Sequence, residues 1–256
     1  MNNPDKILTL PALENAINLV KECVALSCLG AISGIPGTGK TITLKAIEAR
    51  YTSIGLPGNC FYYRCCSIIG TTRGLKDLLD AFGVRPGLIP SGATLQFTVR
   101  IVERELTTRQ IRLLLLDEAD SWDTASLQGL ITLYDSCLSH NQPVSFVFAG
   151  SAHLVKWISK HTSALSRTLR CEAMGNLPIS LTLSVLSEWG PAFEKLAQGV
   201  NQKDPEALKT VKHIYQVTGG NLRRLHYFAK LTLLEEGEIT FERVKIVIAK
   251  LHQEVA

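Results

Sequence analysis

The stretch GIPGTGKT, residues 34–41, constrains this chain more than any other feature. It fits the pattern G-x-x-x-x-G-K-[ST] and directly follows a short apolar run, CLGAIS at 28–33. Glycines let a backbone curl until successive N–H groups point at one place, and a helix starting there adds its positive end; phosphate oxygens suit both. The spacing therefore predicts a strand over 28–33, a phosphate-cradling loop and a helix over 41–50. Gly34, Ile35, Pro36, Gly37, Thr38, Gly39, Lys40 and Thr41 form the expected nucleotide-binding loop. Lys40 is expected to reach β- and γ-phosphates, and Thr41 to coordinate Mg²⁺.

A second motif completes the chemistry. In LLLLDEAD, residues 113–120, four leucines read as a buried strand, with Asp117 emerging at its end. Ligands of open α/β sheets bind at that edge. Asp117 is the candidate metal-side carboxylate, and Glu118 the candidate base that polarises an attacking water. A strand end followed by acids can also be a solvated helix cap; the glycine loop upstream favours the catalytic reading. ATP with Mg²⁺ is the expected cofactor, and ATP hydrolysis the expected reaction.

The remaining pattern sets the architecture. Leu13, Ile17, Val20 and Val24 recur at helical spacing after Pro11. Strands are expected at 60–64, 112–117, 144–149 and 169–173, with helices at 72–82, 94–108, 124–139 and 153–159 between them. Such alternation implies α/β architecture: a parallel five-stranded sheet covered on both faces. After residue 174 only helical patterns follow, at 180–198, 205–217, 221–236 and 241–253. Asp204-Pro205, Gly219-Gly220 and Thr240 mark their starts and stops. The layout is residues 1–175 as an N-terminal helix plus α/β core, and 176–256 as a small all-helical lid.

Composition narrows the class. No apolar run reaches the roughly eighteen residues of a membrane span, and MNNPDKILTL is not a secretory signal. Seven cysteines without a CxxC pair read as reduced thiols of a cytoplasmic protein. The net charge of +4 does not by itself imply nucleic acid.

Taken together, GIPGTGKT, LLLLDEAD, SFVFAG-S at 145–151 and GGNLRRL at 219–225 resemble the AAA+ superfamily of P-loop ATPases over nearly the whole chain. The resemblance implies further catalytic parts. Ser151 stands at the sensor-1 position, where many members carry Asn or Thr. Arg223 stands at the sensor-2 position; the plain alternative is a surface charge on a helix. SALSRTLR, 163–170, lies where a neighbouring subunit's arginine finger is found, with Arg167 the first choice and Arg170 the second. A finger acting in trans implies a homo-oligomer, ring or helical filament.

Within that superfamily the compact build is similar to the transposition regulators MuB, TnsC and TniB. That resemblance implies an ATP-dependent protein that oligomerises on duplex DNA, selects a target and recruits a transposase, with a target-selection protein as further partner. The backbone-contacting segment would be 64–85, in which Arg64, Arg73, Lys76 and Arg85 face only Asp77 and Asp80. Thr71, Thr72, Arg73 and Lys76 are the DNA-binding candidates, against the alternative of a solvated helix face. Two other readings share much of the pattern: a helicase loader or initiator-like ATPase, and an ExeA-type secretion-associated ATPase. A small-molecule phosphotransferase fits less well, because adjacent Asp117 and Glu118 suit water activation.

Overall fold

A computed structural model describes residues 11–66, 70, 72–85, 89–90, 92–234 and 238–254. The chain divides into two compact units, one of Ala12–Ile35 and Lys40–Met174, the other of Gly175–Ala256 together with the loop segment Pro36–Gly39.

The first unit is an α/β layer structure. In order it contains α1 (Pro11–Leu26), β1 (Leu29–Ser33), α2 (Lys40–Arg50), β2 (Asn59–Arg64), α3 (Arg73–Ala81), α4 (Leu95–Thr108), β3 (Ile111–Asp117), a 3₁₀ turn (Ala119–Ser121), α5 (Thr124–Ser139), β4 (Ser145–Gly150), α6 (Ala152–Lys160), α7 (Thr162–Leu165) and β5 (Thr168–Ala173). The five strands form one sheet in the order β2-β3-β4-β1-β5, and the registered pairs are parallel.

Alternation along the strands explains how one apolar run serves two cores. Leu113 and Leu115 pack with Ala16, Leu19, Val20, Leu44 and Ile47 of α1 and α2. Leu114 and Leu116 point to the opposite face and pack with α3, α4 and α5 through Leu75, Leu78, Val102, Leu130 and Tyr134. Phe146 and Phe148 of β4 join that second face, and Val147 and Ala149 the first. A strand covered on both faces reads as a continuous hydrophobic run for this reason.

The second unit is all helical: α8 (Ile179–Ser187), α9 (Pro191–Asn201), α10 (Pro205–Thr218), α11 (Leu222–Leu234) and α12 (Phe241–Glu254). The single helix expected over 180–198 is two helices. Pro191 has no backbone N–H and clashes with a preceding helical turn, so it starts a new helix after extended Gly190. The short helix α7 was not expected either. Asp204 caps α10 by accepting from Glu206 N, and Gly219 ends it in the left-handed region at φ 61°. Phe193, Ile214, Leu225, Phe228, Val244 and Val247 form this unit's own core.

Among the described residues no helix is long and apolar enough to cross a membrane. All seven cysteines are free thiols, and burial pushes those of Cys23, Cys60, Cys65 and Cys137 well above the ordinary range.

Phe193 is fully buried, with its ring 6.3 Å from that of Phe228. Phe193→Ala is expected to destabilise the helical unit by about 3–5 kcal/mol. Urea unfolding followed by circular dichroism measures this; a loss under about 1 kcal/mol would mean the site collapses around the gap.

Candidate functional site

The glycine loop leaves the C-terminal end of β1 and enters α2 at Lys40. Gly37 and Gly39 lie at φ +85° and +100°, a region that favours glycine, and so turn the backbone where the motif requires it. The first turn of α2 carries no acid, so its positive end stays uncompensated by side chains of that turn. Lys40 folds back across the loop and donates from Nζ to Gly34 O at 2.6 Å and Ile35 O at 3.1 Å. Thr38 is buried at 3% exposure.

The segment Pro36–Gly39 groups with the helical unit, and the contacts that hold it are specific. Asn221 Nδ2 donates to Pro36 O at 2.9 Å and to Asn176 Oδ1 at 3.3 Å, and Arg223 N donates to Gly37 O at 3.2 Å. A Cβ on Gly37 would sit 2.3 Å from Asn221 Oδ1, so only glycine fits. Asn221 also accepts from Arg224 N at 3.3 Å, which caps the start of α11. The residue had a legible signal, an Asn just before a helical run, yet its grip on the loop had none. Arg223 is anchored through its backbone, and its side chain is exposed.

At the end of β3, Asp117 is 1% exposed and satisfied three ways. Its Oδ2 accepts from Thr41 Oγ1 at 2.7 Å and from Tyr62 Oη at 2.9 Å; its Oδ1 accepts from Glu118 N at 3.0 Å. The motif pairing of Thr41 with Asp117 is therefore present in space. Tyr62, on β2, was not anticipated. Burial, reinforced by the neighbouring Asp117 carboxylate, pushes its hydroxyl above the usual phenol range.

Glu118 leaves the strand in the left-handed region at φ 52°, ψ 39°, an uncommon conformation for a residue with a side chain. Its two carboxylate oxygens accept from Arg64 Nη2 at 2.8 Å and Nε at 3.1 Å. Arg64 thus pairs with the candidate base instead of standing free on the expected DNA-facing surface.

Asp120 takes the next place in the acidic run. Its Oδ2 accepts from Ser151 N at 2.9 Å and, in a very short bond, from Ser151 Oγ. A Cβ on Gly150 would come within 2.7 Å of Asp120 Oδ1, so glycine is needed for this approach. Ser151 also accepts from His153 N and caps α6. Its hydroxyl is committed within the protein as both donor and acceptor. Asp123 caps α5 through Ser126 N at 2.8 Å and accepts from Gly70 N at 2.9 Å. Ser126, with Gly70 adding, holds the Asp123 carboxyl below the usual range.

The arginine-finger candidates are both paired inside the chain. Arg167 forms a two-pronged pair with Asp135 of α5, at 2.5 and 2.9 Å, and donates from Nη1 to Ser163 O at 2.6 Å. Arg170 pairs with Glu22 of α1 at 2.5 Å and lies 3.8 Å from Glu172. In the DNA-binding candidate segment, Thr72 precedes α3 without a side-chain capping bond. Arg73 is exposed and Lys76 half-buried, on a helix whose other face buries Leu75, Leu78 and Leu79. Burial raises the Asp77 carboxyl, Asp80 adds to this, and Arg73 opposes it. Arg85 is exposed. Thr71 lies outside the described residues.

A comparison with curated protein sequences gives no match. The fold is similar to that of the Aeropyrum pernix ORC2 protein, described in ADPNP–ADP complexes, at 12% identity over 93% of this chain and 66% of that one, TM-score 0.63. It is likewise similar to the Aeropyrum pernix ORC1 protein in complex with DNA, at 17% identity over 94% and 66%, TM-score 0.63. Domain III of the Thermotoga maritima replication initiation protein DnaA matches at 16% identity over 98% of both chains, TM-score 0.59. The chain spans just under two thirds of the length of the two ORC proteins, and at these identities the likeness is one of fold. The AAA domain family matches residues 27–158, from just ahead of β1 into α6. The chain belongs to the AAA domain family and is an ATPase built on the parallel-sheet P-loop fold.

Proposed function

We propose that this ATPase is an initiator-like switch that assembles on duplex DNA when ATP is bound. The observation that carries the nucleotide part is the 2.7 Å contact of Thr41 with buried Asp117, beside the glycine loop. Hard divalent cations take oxygen ligands. A hydroxyl whose proton lies on a carboxylate keeps its lone pairs for a cation, so Thr41 and Asp117 fit Mg²⁺. Bound there, Mg²⁺ would neutralise charge on the β- and γ-phosphates.

The chain's own residues do the rest. Loop amides and Lys40 hold the phosphates. Glu118 takes a proton from water as the water oxygen bonds to the γ-phosphorus; the bond to the β-phosphate oxygen breaks, and ADP and phosphate leave. Ser151 positions the end of β4 through Asp120, Arg223 is the sensor-2 candidate, and Arg167 would exchange Asp135 for a neighbour's phosphate. The unit boundary after Met174 supports reading the two units as core and lid.

The DNA part rests on exposed Arg73 beside Lys76, and on the likeness to a protein described with DNA and to one named for replication initiation. Those likenesses favour the initiator-like reading over regulation of transposition, whose transposase partner gains no support from them. A homo-oligomer and a cytoplasmic location complete the proposal.

Three outcomes test it. Lys40→Ala should abolish ATP binding, while Glu118→Gln should bind ATP yet hydrolyse it at least about a hundredfold more slowly; a wild-type rate in Glu118→Gln removes the base assignment. Arg64→Ala should raise basal hydrolysis modestly, by about two- to fivefold, because an exposed ion pair restrains its partner only weakly. An unchanged or lower turnover would show that the Arg64 pair does not restrain Glu118. Fluorescence anisotropy with duplex DNA and a slowly hydrolysed ATP analogue should show binding with little sequence preference. The double variant Arg73→Ala, Lys76→Ala should bind much more weakly, with the magnitude of the log–log salt slope falling by about 0.9 per phosphate contact removed. DNA binding equal to wild type would place the contact surface elsewhere; none at all in wild type would favour a loader acting through a protein partner.

A further inference from the structure

Tyr62 has no place in the motifs, yet its hydroxyl bonds the most buried carboxylate of the site. The sheet brings it there: Tyr62 is registered with Leu115 and Arg64 with Asp117, so Tyr62 and Asp117 lie on one face, two positions apart along adjacent strands. Helix α2 fixes the tyrosine from its other side. Tyr62 N donates to Glu48 Oε1 at 2.9 Å, and Lys45 Nζ lies 5.6 Å from the ring centroid. The residue thus joins β2, β3 and the helix that follows the glycine loop.

The hydrogen-bond inventory of Asp117 gives this contact its meaning. A carboxylate oxygen has about two lone-pair sites. Both sites of Oδ2 are taken, by Thr41 at 2.7 Å and Tyr62 at 2.9 Å, and Oδ1 accepts from Glu118 N at 3.0 Å. Two hydroxyls on one oxygen fix the rotation of the carboxylate, and they hold the Thr41 proton on Asp117 so that the Thr41 lone pairs remain for a cation. Without the Tyr62 bond, Asp117 loses one of the restraints on that rotation.

We propose that Tyr62 is a positioning residue of the ATPase site, whose hydroxyl holds Asp117 in the orientation that binds a divalent cation together with Thr41. This rests on the reading of Thr41 and Asp117 as the Mg²⁺ pair.

Tyr62→Phe keeps the ring and removes only the hydroxyl. Binding of a fluorescent ADP is measured in EDTA and then across a magnesium titration, for wild type, Tyr62→Phe and Asp117→Asn, with melting temperatures alongside. The expected result is a magnesium half-saturation about five- to tenfold higher in Tyr62→Phe, the scale of one ordinary hydrogen bond because Tyr62 acts only through the orientation of Asp117, and a metal-free ADP affinity within about twofold of wild type. An unchanged magnesium half-saturation in Tyr62→Phe overturns the inference. So does an equal loss of affinity with and without metal, which would make Tyr62 a packing residue. The Asp117→Asn arm separates the two layers. If it leaves the magnesium dependence intact, the metal reading itself fails; if it abolishes that dependence while Tyr62→Phe does not move it, only the role of Tyr62 fails.

Discussion

A strand buried on both faces has to stop where its first carboxylate can find donors, and β3 stops at Asp117. Four leucines upstream leave water on neither side, so the charge at position 117 is tolerable only because Thr41, Tyr62 and the Glu118 amide all donate to it. Those donors come from α2, β2 and the turn after β3. The geometry of the site is thus a consequence of satisfying one buried carboxylate: the glycine loop must deliver Thr41 to that point, and β2 must stand beside β3 in the register that delivers Tyr62.

The acids that follow divide their work in the same way. Glu118 takes Arg64 from the end of β2, Asp120 takes Ser151 from the end of β4, and Asp123 takes Gly70 ahead of α3 while it caps α5. Seven residues of sequence therefore tie together the ends of three neighbouring strands and the start of the segment proposed to meet DNA. Each tie is a hydrogen bond to an ionised group, the stronger kind. The turn is thus held at several points at once, which lets Glu118 keep its left-handed conformation.

The parts of this arrangement that were legible in the sequence are those in which chemistry and spacing coincide locally. GIPGTGKT after an apolar strand placed the loop, and LLLLDEAD placed both a buried interior strand and Asp117. Short apolar runs between helical patterns gave the five strands to within about a residue or two at each end. Long-range pairing was not legible. Nothing local to Arg64 marks Glu118 as its partner, nothing near Arg167 marks Asp135, and Asn221 lies far in sequence from Pro36. These contacts depend on register and helix packing, which a motif does not encode. The split of the helix at Gly190-Pro191 was written in the sequence, and the helical periodicity on either side of it masked the proline.

Pairing also changes how the charge balance bears on nucleic acid. Arg64, Arg167 and Arg170 pair with Glu118, Asp135 and Glu22, and Arg109 with Glu105 and the Phe82 carbonyl. Each is a cation that a count of charges would offer to phosphate and that the fold spends internally. Beside α3 the exposed cation is Arg73, with half-buried Lys76 three residues on and with Asp77 and Asp80 on the same helix. Such a surface gives a weak, sequence-indifferent contact from one protomer. A weak contact suffices only if it is repeated, because linked copies bind the same strand as one body and their contributions multiply. The proposed DNA binding therefore requires the proposed assembly. A protomer that makes few phosphate contacts would detach readily after hydrolysis, which is the behaviour expected of a switch rather than of a permanent clamp.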